Sequence, residues 1–277
     1  MVNRNLSFFF SSPLVPYRKI INDEAIRVLF LSPRYGKEDR FTPLETIFAK
    51  ETEKAVYERG IPPFESKQYR SLKYVVAVST EFQDGIVRFR DIPVYGNDGN
   101  YGLDDDIAAV QNYLNKSDTL SIPYTASNDG KNSIKGKSYS HQDLLTISNN
   151  TTKNLNLKSN DVLLSTAPLH VPVYYAISAL APASVTAKTI LPSKTFDATK
   201  TLEALTQQRA TVLITLPEHV TELNKELQND NSKPAAKRSY NLSTLRNGAV
   251  LVPSGSTLSP VTFNGITLKA VDSSKGF

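Results

Sequence analysis

The residues best equipped for chemistry lie in one run, Leu120 to His141, which reads LSIPYTASNDGKNSIKGKSYSH. It starts as a short apolar strand, passes through a loop of Ser, Thr, Asn, Gly and Lys, and enters an amphipathic segment at His141-Gln142-Asp143-Leu144-Leu145. A hydroxyl- and Gly-rich turn of this kind presents backbone N–H groups to a phosphate, and a nearby Lys supplies charge. The rest of the chain has no second phosphate-loop candidate. The same residue types also build an ordinary solvated hairpin turn, so composition alone leaves both readings open.

Other reactive side chains are few. The chain has no Cys, which removes disulfides, thiolate nucleophiles and Cys-based metal sites. Its three His residues, His141, His170 and His219, lie too far apart for a local metal motif. No Ser/His/Asp spacing forms a defensible triad. His141 is expected to cap or pack at the start of a helix, or to reach a phosphate. For His170 the choices are a core imidazole bonded to backbone or a residue lining a tunnel. Glu218-His219 reads as surface.

The Leu120–His141 run resembles the phosphate loop of the adenylate-forming acyl-CoA ligases, written Y-T-S-G-T-T-G-x-P-K-G and followed by a Ser-His pair. Tyr124, Thr125, Gly130, Lys135, Gly136, Ser140 and His141 match that pattern. By resemblance, Thr125, Gly130, Lys135, Gly136 and His141 form a vestigial phosphate loop. Pro168-Leu169-His170 is similar to the ligases' Pro-Leu-aromatic-His stretch beside the acyl tunnel, which implies that His170 lines a vestigial tunnel. Phe196–Leu205, Thr211–Pro217, Asn241–Arg246 and Gly248–Pro260 resemble successive later segments, and Ser71–Ile92 resembles an upstream strand pair. The mitochondrial medium-chain branch is the nearest pattern.

The departures are specific. Ala126 and Ser127 stand for the family's Ser and Gly, and Asn128 and Asp129 for its two Thr residues. Ile134 replaces the Pro, and two extra residues separate Gly130 from Lys135. Asp129 would face a triphosphate, and two like unit charges ~5 Å apart at an effective dielectric of ~20 repel by about 3 kcal/mol. Ser127 at a left-handed position would cost a further ~1 kcal/mol. Moving Lys135 by ~1 Å can cost on the order of a hundredfold in rate. The expectation is a chain that does not adenylate.

The elements that must position these residues follow from hydrophobic pattern. Ala25–Ser32 and Ser71–Ser79 read as buried strands, Ile86–Ile92 as a short one, and Phe41–Arg59 as a helix ended by Gly60 and two prolines. Asp106–Leu114 and Asp143–Leu155 read as helices, and Asp161–His170 as a strand entering a loop. Tyr174–Leu180 is a buried helix, Val185–Leu191 a strand, Phe196–Gln208 a helix, Thr211–Thr215 a strand and Pro217–Leu227 a helix. Asn229–Ser239 is a polar linker, and Gly248–Pro253 and Ile266–Val271 are strands. Strand–helix–strand order predicts an α/β class with mixed and parallel sheets flanked by helices, a partial ligase N-terminal domain. Residues 23–277 form that domain, with an upstream half over 23–119 and a phosphate-loop half over 120–277.

At 277 residues, 40% hydrophobic and 21% charged, the chain can bury a substantial core. Its net charge of +5 is scattered rather than clustered with aromatics, so nucleic acid is not an expected partner. No apolar run approaches the ~20 residues of a transmembrane helix. Residues 1–22 carry Arg4, Arg18 and Lys19 and no acid, which suits a mitochondrial targeting segment; a cytoplasmic location is the alternative. The family's adenine-stacking turn, ribose Asp and catalytic Lys of the C-terminal domain have no counterpart before Phe277. No cofactor is therefore expected, with ATP/AMP or CoA the ligands open to a surviving pocket. A sheet cut short leaves an edge that a protein partner, a second copy or the N-terminal segment would cover.

Overall fold

A computed structural model describes residues 7–8, 17–31, 34–35, 38–39, 69–78, 87–92, 103–127, 132–232, 239–255 and 261–277. The helix expected at 41–59 lies outside these residues, as does Gly130. The chain divides into two compact units, residues 1–115 with 121–138, and residues 116–120 with 139–277.

The first unit is built on a four-stranded parallel sheet. Its strands are β1 (Ser7–Phe8), β2 (Val28–Leu31), β5 (Tyr74–Ala77) and β6 (Val87–Arg88), in the order β1-β2-β5-β6. The N-terminal segment thus supplies an edge strand of this sheet. Helix α1 (Tyr17–Asp23) leads into β2 and buries Ile20 and Ile21. It closes with Ile26 N–H donating to the Ile21 carbonyl at 3.0 Å and Ala25 N–H to that of Asn22 at 3.3 Å. This is the paired-bond turn that ends many helices, and its left-handed residue is Ala25, at φ 48°. A two-residue pair, β3 (Arg34–Tyr35) and β4 (Glu38–Asp39), is antiparallel. Helix α2 spans Leu103–Tyr113, three residues ahead of the expected start. Strands β8 (Tyr124–Ala126) and β9 (Ser133–Lys135) form an antiparallel hairpin.

The second unit pairs β7 (Thr119–Ser121) with β10 (Tyr139–Ser140) and then enters helix α3 (His141–Leu155). Ser140 caps α3: its hydroxyl accepts from Asp143 N–H at 3.1 Å, and the Asp143 carboxylate accepts from Ser140 N–H at 2.9 Å. Strands follow at β11 (Val162–Ser165), β12 (Lys188–Ile190), β13 (Val212–Thr215), β14 (Asn247–Val252), β15 (Val261–Phe263) and β16 (Ile266–Asp272). Their order is β12-β11-β13-β14-β16-β15, all parallel except the antiparallel β15–β16 pair.

Helices cover both faces of this sheet. Between β11 and β12 runs a helical stretch, α4 (Pro172–Tyr175), a π turn over Ala176–Leu180, and α5 (Ala181–Ser184). These pack with α3 on the face that holds Leu163, Ile214, Ala249 and Leu251. Helices α6 (Ala198–Gln207) and α7 (Pro217–Asn231) cover Leu164, Leu213 and Val250 on the other. Successive strand residues point to opposite faces and both faces are dry, which is why the strands read as unbroken apolar runs. The expected α/β class with flanking helices is what the chain adopts. Helix α7 runs four residues past its expected end at Leu227, because Asp230 is buried there and accepts from the N–H groups of Ser239 and Tyr240.

Candidate functional site

In the first unit the β8–β9 hairpin carries the residues expected to cradle phosphate. Thr125 pairs with Ile134 and Tyr124 with Lys135. Ser127 N–H donates to the Asn132 carbonyl at 2.8 Å, Asn132 N–H to the Ser127 hydroxyl at 3.0 Å, and Gly136 N–H to the Pro123 carbonyl at 2.8 Å. Backbone donors at both shoulders of the loop are therefore spent within the hairpin. A Cβ on Gly136 would sit 3.0 Å from Pro123 Cγ and 3.2 Å from its carbonyl oxygen, so a side chain there would be tight against Pro123, which would have to give by a few tenths of an ångström.

Lys135 does not stand alone. Its ammonium lies 2.5 Å from Glu24 Oε1, and the Tyr124 hydroxyl donates to the same oxygen. Burial favours the neutral acid of Glu24, but hydrogen bonds from Lys135 and Tyr124 and the Lys135 charge outweigh it and hold the carboxyl below its usual range. The Tyr124 phenol is pushed well up by burial, by its bond to Glu24 and by the charges of Glu24 and Asp23. Glu24 stands at the exit of α1, 111 residues from Lys135 in sequence, and no local signal pairs the two.

His141 and His170 belong to the second unit. The cap of α3 is Ser140, so His141 is its first helical residue, and its N–H donates to the Asp118 carbonyl at 3.2 Å. His170 follows β11 in a turn where Val171 N–H donates to the Pro168 carbonyl at 3.3 Å. His170 is exposed, yet desolvation by surrounding atoms lowers its pKa.

At the carboxyl ends of the parallel strands, where open α/β sheets bind ligands, the second unit gathers a group the sequence did not single out. Thr166, just past β11, donates its hydroxyl to Thr215 Oγ1 at the end of β13, at 2.9 Å. His219, in the first turn of α7, holds Nδ1 2.9 Å from Thr166 Oγ1. With the Thr166 proton committed to Thr215, His219 Nδ1–H is the donor to Thr166, which leaves Nε2 as the acceptor nitrogen. Phe196 stacks on the imidazole, ring centroids 3.7 Å apart and planes 5° from parallel. Burial lowers the His219 pKa despite opposing charge from Glu218 and Glu222. The surface reading of Glu218-His219 holds for Glu218 and is corrected for His219, which is half-buried. The missed signal is tertiary, since Thr166, Phe196, Thr215 and His219 come from three different strand exits.

The same edge carries a second polar knot. Asp272, closing β16, accepts at Oδ1 from the Ser274 hydroxyl and N–H, both at 2.7 Å, and at Oδ2 from the Ser254 hydroxyl at 3.3 Å. Those bonds from Ser274 lower its pKa. Structural chemistry occupies the opposite end of the sheet. There buried Asp161 takes the Arg246 guanidinium at 2.5 and 3.1 Å, the Thr211 hydroxyl at 2.7 Å and Lys158 N–H at 2.8 Å. Burial opposes ionisation of Asp161, but the Arg246, Thr211 and Lys158 bonds and the Arg246 charge lower its pKa. Among the described residues no cluster of three or more His, Asp or Glu could hold a metal ion, and no helix is long and apolar enough to cross a membrane.

A family model described as AMP-binding enzyme matches residues 16–265. No curated protein matches the chain. Among solved structures it is similar to the anthranilate CoA ligase AuaEII in complex with anthranoyl-AMP, at TM-score 0.56 and 17% identity over 90% of this chain and 39% of that one. It is also similar to a protein described as a putative long-chain-fatty-acid CoA ligase from Rhodopseudomonas palustris CGA009, at TM-score 0.54 and 14% identity over 85% of this chain and 47% of that one. A third is the adenylation domain of a keto acid-selecting NRPS module, at TM-score 0.52 and 12% identity, covering 92% and 36%. At these identities the likeness is one of fold, and the chain spans less than half the length of each.

Proposed function

The chain belongs to the AMP-binding enzyme family, and from that premise we propose that it is a non-catalytic member, a pseudoenzyme of the acyl-CoA synthetase type that serves as an interaction, assembly or regulatory protein. The observation that carries this reading is the β8–β9 hairpin. Its Ser127, Asn132 and Gly136 N–H groups bond within the hairpin, and its Lys135 is held by Glu24. A phosphate cradle needs those donors and that charge for its ligand. Ala126, Ser127, Asn128 and Asp129 at the family's Ser-Gly-Thr-Thr positions act in the same direction. The test is acyl-adenylate formation by the purified chain with Mg-ATP and octanoate, and no product above the blank is expected. Its setting is proposed as the mitochondrion and fatty acid metabolism, on the acid-free basic stretch Arg4–Lys19 and the ligase resemblance. Exclusion from isolated mitochondria in an import assay would overturn that setting.

A second reading is favoured by the Thr166–Thr215–His219–Phe196 group at the ligand-binding edge of the second sheet. In it the chain keeps a site for AMP or a medium-chain acyl-CoA and contributes to ligation only as a binding half. A ligand at 100 times its Kd should then stabilise the fold by about 2.7 kcal/mol. Thermal unfolding with octanoyl-CoA and with AMP separates the two readings, and the first predicts no shift with either.

A further inference from the structure

We infer that Glu24 is an internal competitor for the anion site of the hairpin, so that Tyr124 and Lys135 together form an oxyanion receptor filled by the chain's own carboxylate. This rests on the reading that the hairpin does not support adenylation, and it names what holds the site shut.

Three elements build the contact. Glu24 comes from the turn after α1, Tyr124 from β8 and Lys135 from β9, and all three belong to the first unit. A hydroxyl and an ammonium converge on the single oxygen Oε1, which is the donor pair that a phosphate oxygen would meet. The side chain of Glu24 is 14% exposed, whereas that of Lys135 is 50% exposed, so an external anion can reach the cation but must displace a sheltered carboxylate. The carboxylate is held from behind by backbone. The turn at Ala25 adopts φ 48° and bonds Ile26 to Ile21, fixing the chain direction at Glu24. Non-Gly residues take that conformation at a cost, so the placement of Glu24 is over-determined by packing of Ile20, Ile21 and Ile26, all buried. Charge complements the geometry. The depressed carboxyl keeps Glu24 ionised at neutral pH, and a neutral residue there leaves Lys135 without its anion.

The test measures binding of inorganic pyrophosphate, without nucleotide, to the full chain and its variants by calorimetry at fixed ionic strength. Glu24→Gln should bind pyrophosphate about tenfold to a hundredfold more tightly than the unmodified chain, the scale set by removing one like charge at contact range. Adding Lys135→Ala to Glu24→Gln should abolish the gain, and Tyr124→Phe should reduce it. If Glu24→Gln fails to unfold cooperatively, Glu24→Ala, which also removes the competing oxygen, is measured in its place. Equal affinity in the unmodified chain and the neutral variant, or a gain that survives loss of Lys135, overturns the inference. Its failure is distinct from failure of the functional reading: a Glu24→Gln chain that binds pyrophosphate yet makes no acyl-adenylate supports both, while adenylate made by the unmodified chain overturns the reading.

Discussion

Single residues decide what this protein can hold, and the two best-defined sites use their charged groups differently. Glu24 quenches a cation, whereas the Thr166–Thr215 relay takes the Nδ1–H of His219 and leaves Nε2 as the acceptor in the neutral ring, and burial lowers the pKa of that imidazole. The N-terminal end of α7 also disfavours a positive imidazole. Because the folded pKa values of His219 and His170 lie below the ordinary imidazole value, the unfolded chain binds protons that the folded chain refuses. Stability should therefore fall as pH drops through the ordinary imidazole value of about 6.5, and these groups should contribute little slope well above it. Thermal unfolding against pH checks this, with a shallower slope expected in His219→Gln; an unchanged slope would place the effect elsewhere. Lys135 and Gly136 could be picked out in the sequence as loop residues. Glu24 could not, because its partners lie 100 and 111 residues away, and neither could the pairing of Thr166 with His219.

At the scale of elements, most of the second unit was legible because its strands are apolar on both faces and its helices carry local stop and start signals. Asp197 caps α6 by accepting from Lys200 N–H at 3.0 Å, and Pro217 opens α7 at its first position. Less legible were features that depend on backbone conformation. Ala25 gives no sequence sign of a left-handed turn, yet it closes α1 at φ 48°. Replacing it with Gly should stabilise the protein by about 1 kcal/mol, since Gly adopts that conformation without the Cβ penalty. Gly248 presents the opposite case: a Cβ there would lie 2.6 Å from the Leu213 carbonyl oxygen and 2.7 Å from Leu268 Cδ2. Gly248→Ala should cost about 2 kcal/mol or more by forcing β13 and β14 apart. Denaturant midpoints of the two variants should move in opposite directions; a destabilised Ala25→Gly would show that the turn carries no strain.

Across the whole molecule, the family is carried by an order of elements rather than by identity, which stays between 12% and 17% in the three structural relatives described above. Core positions need only be apolar and of suitable volume, so a fold survives extensive substitution. That tolerance is why the α/β class could be read from patterning. The partner that a retained fold would serve has no such signature in one chain.

The most direct measurement is acyl-adenylate formation by the purified, cooperatively folded chain supplied with Mg-ATP and octanoate, followed by mass spectrometry and by pyrophosphate release. A non-catalytic protein gives neither signal above the enzyme-free blank. Octanoyl-AMP that accumulates with time and disappears in Lys135→Ala would contradict the account, because it would show that Lys135 leaves Glu24 to serve a nucleotide.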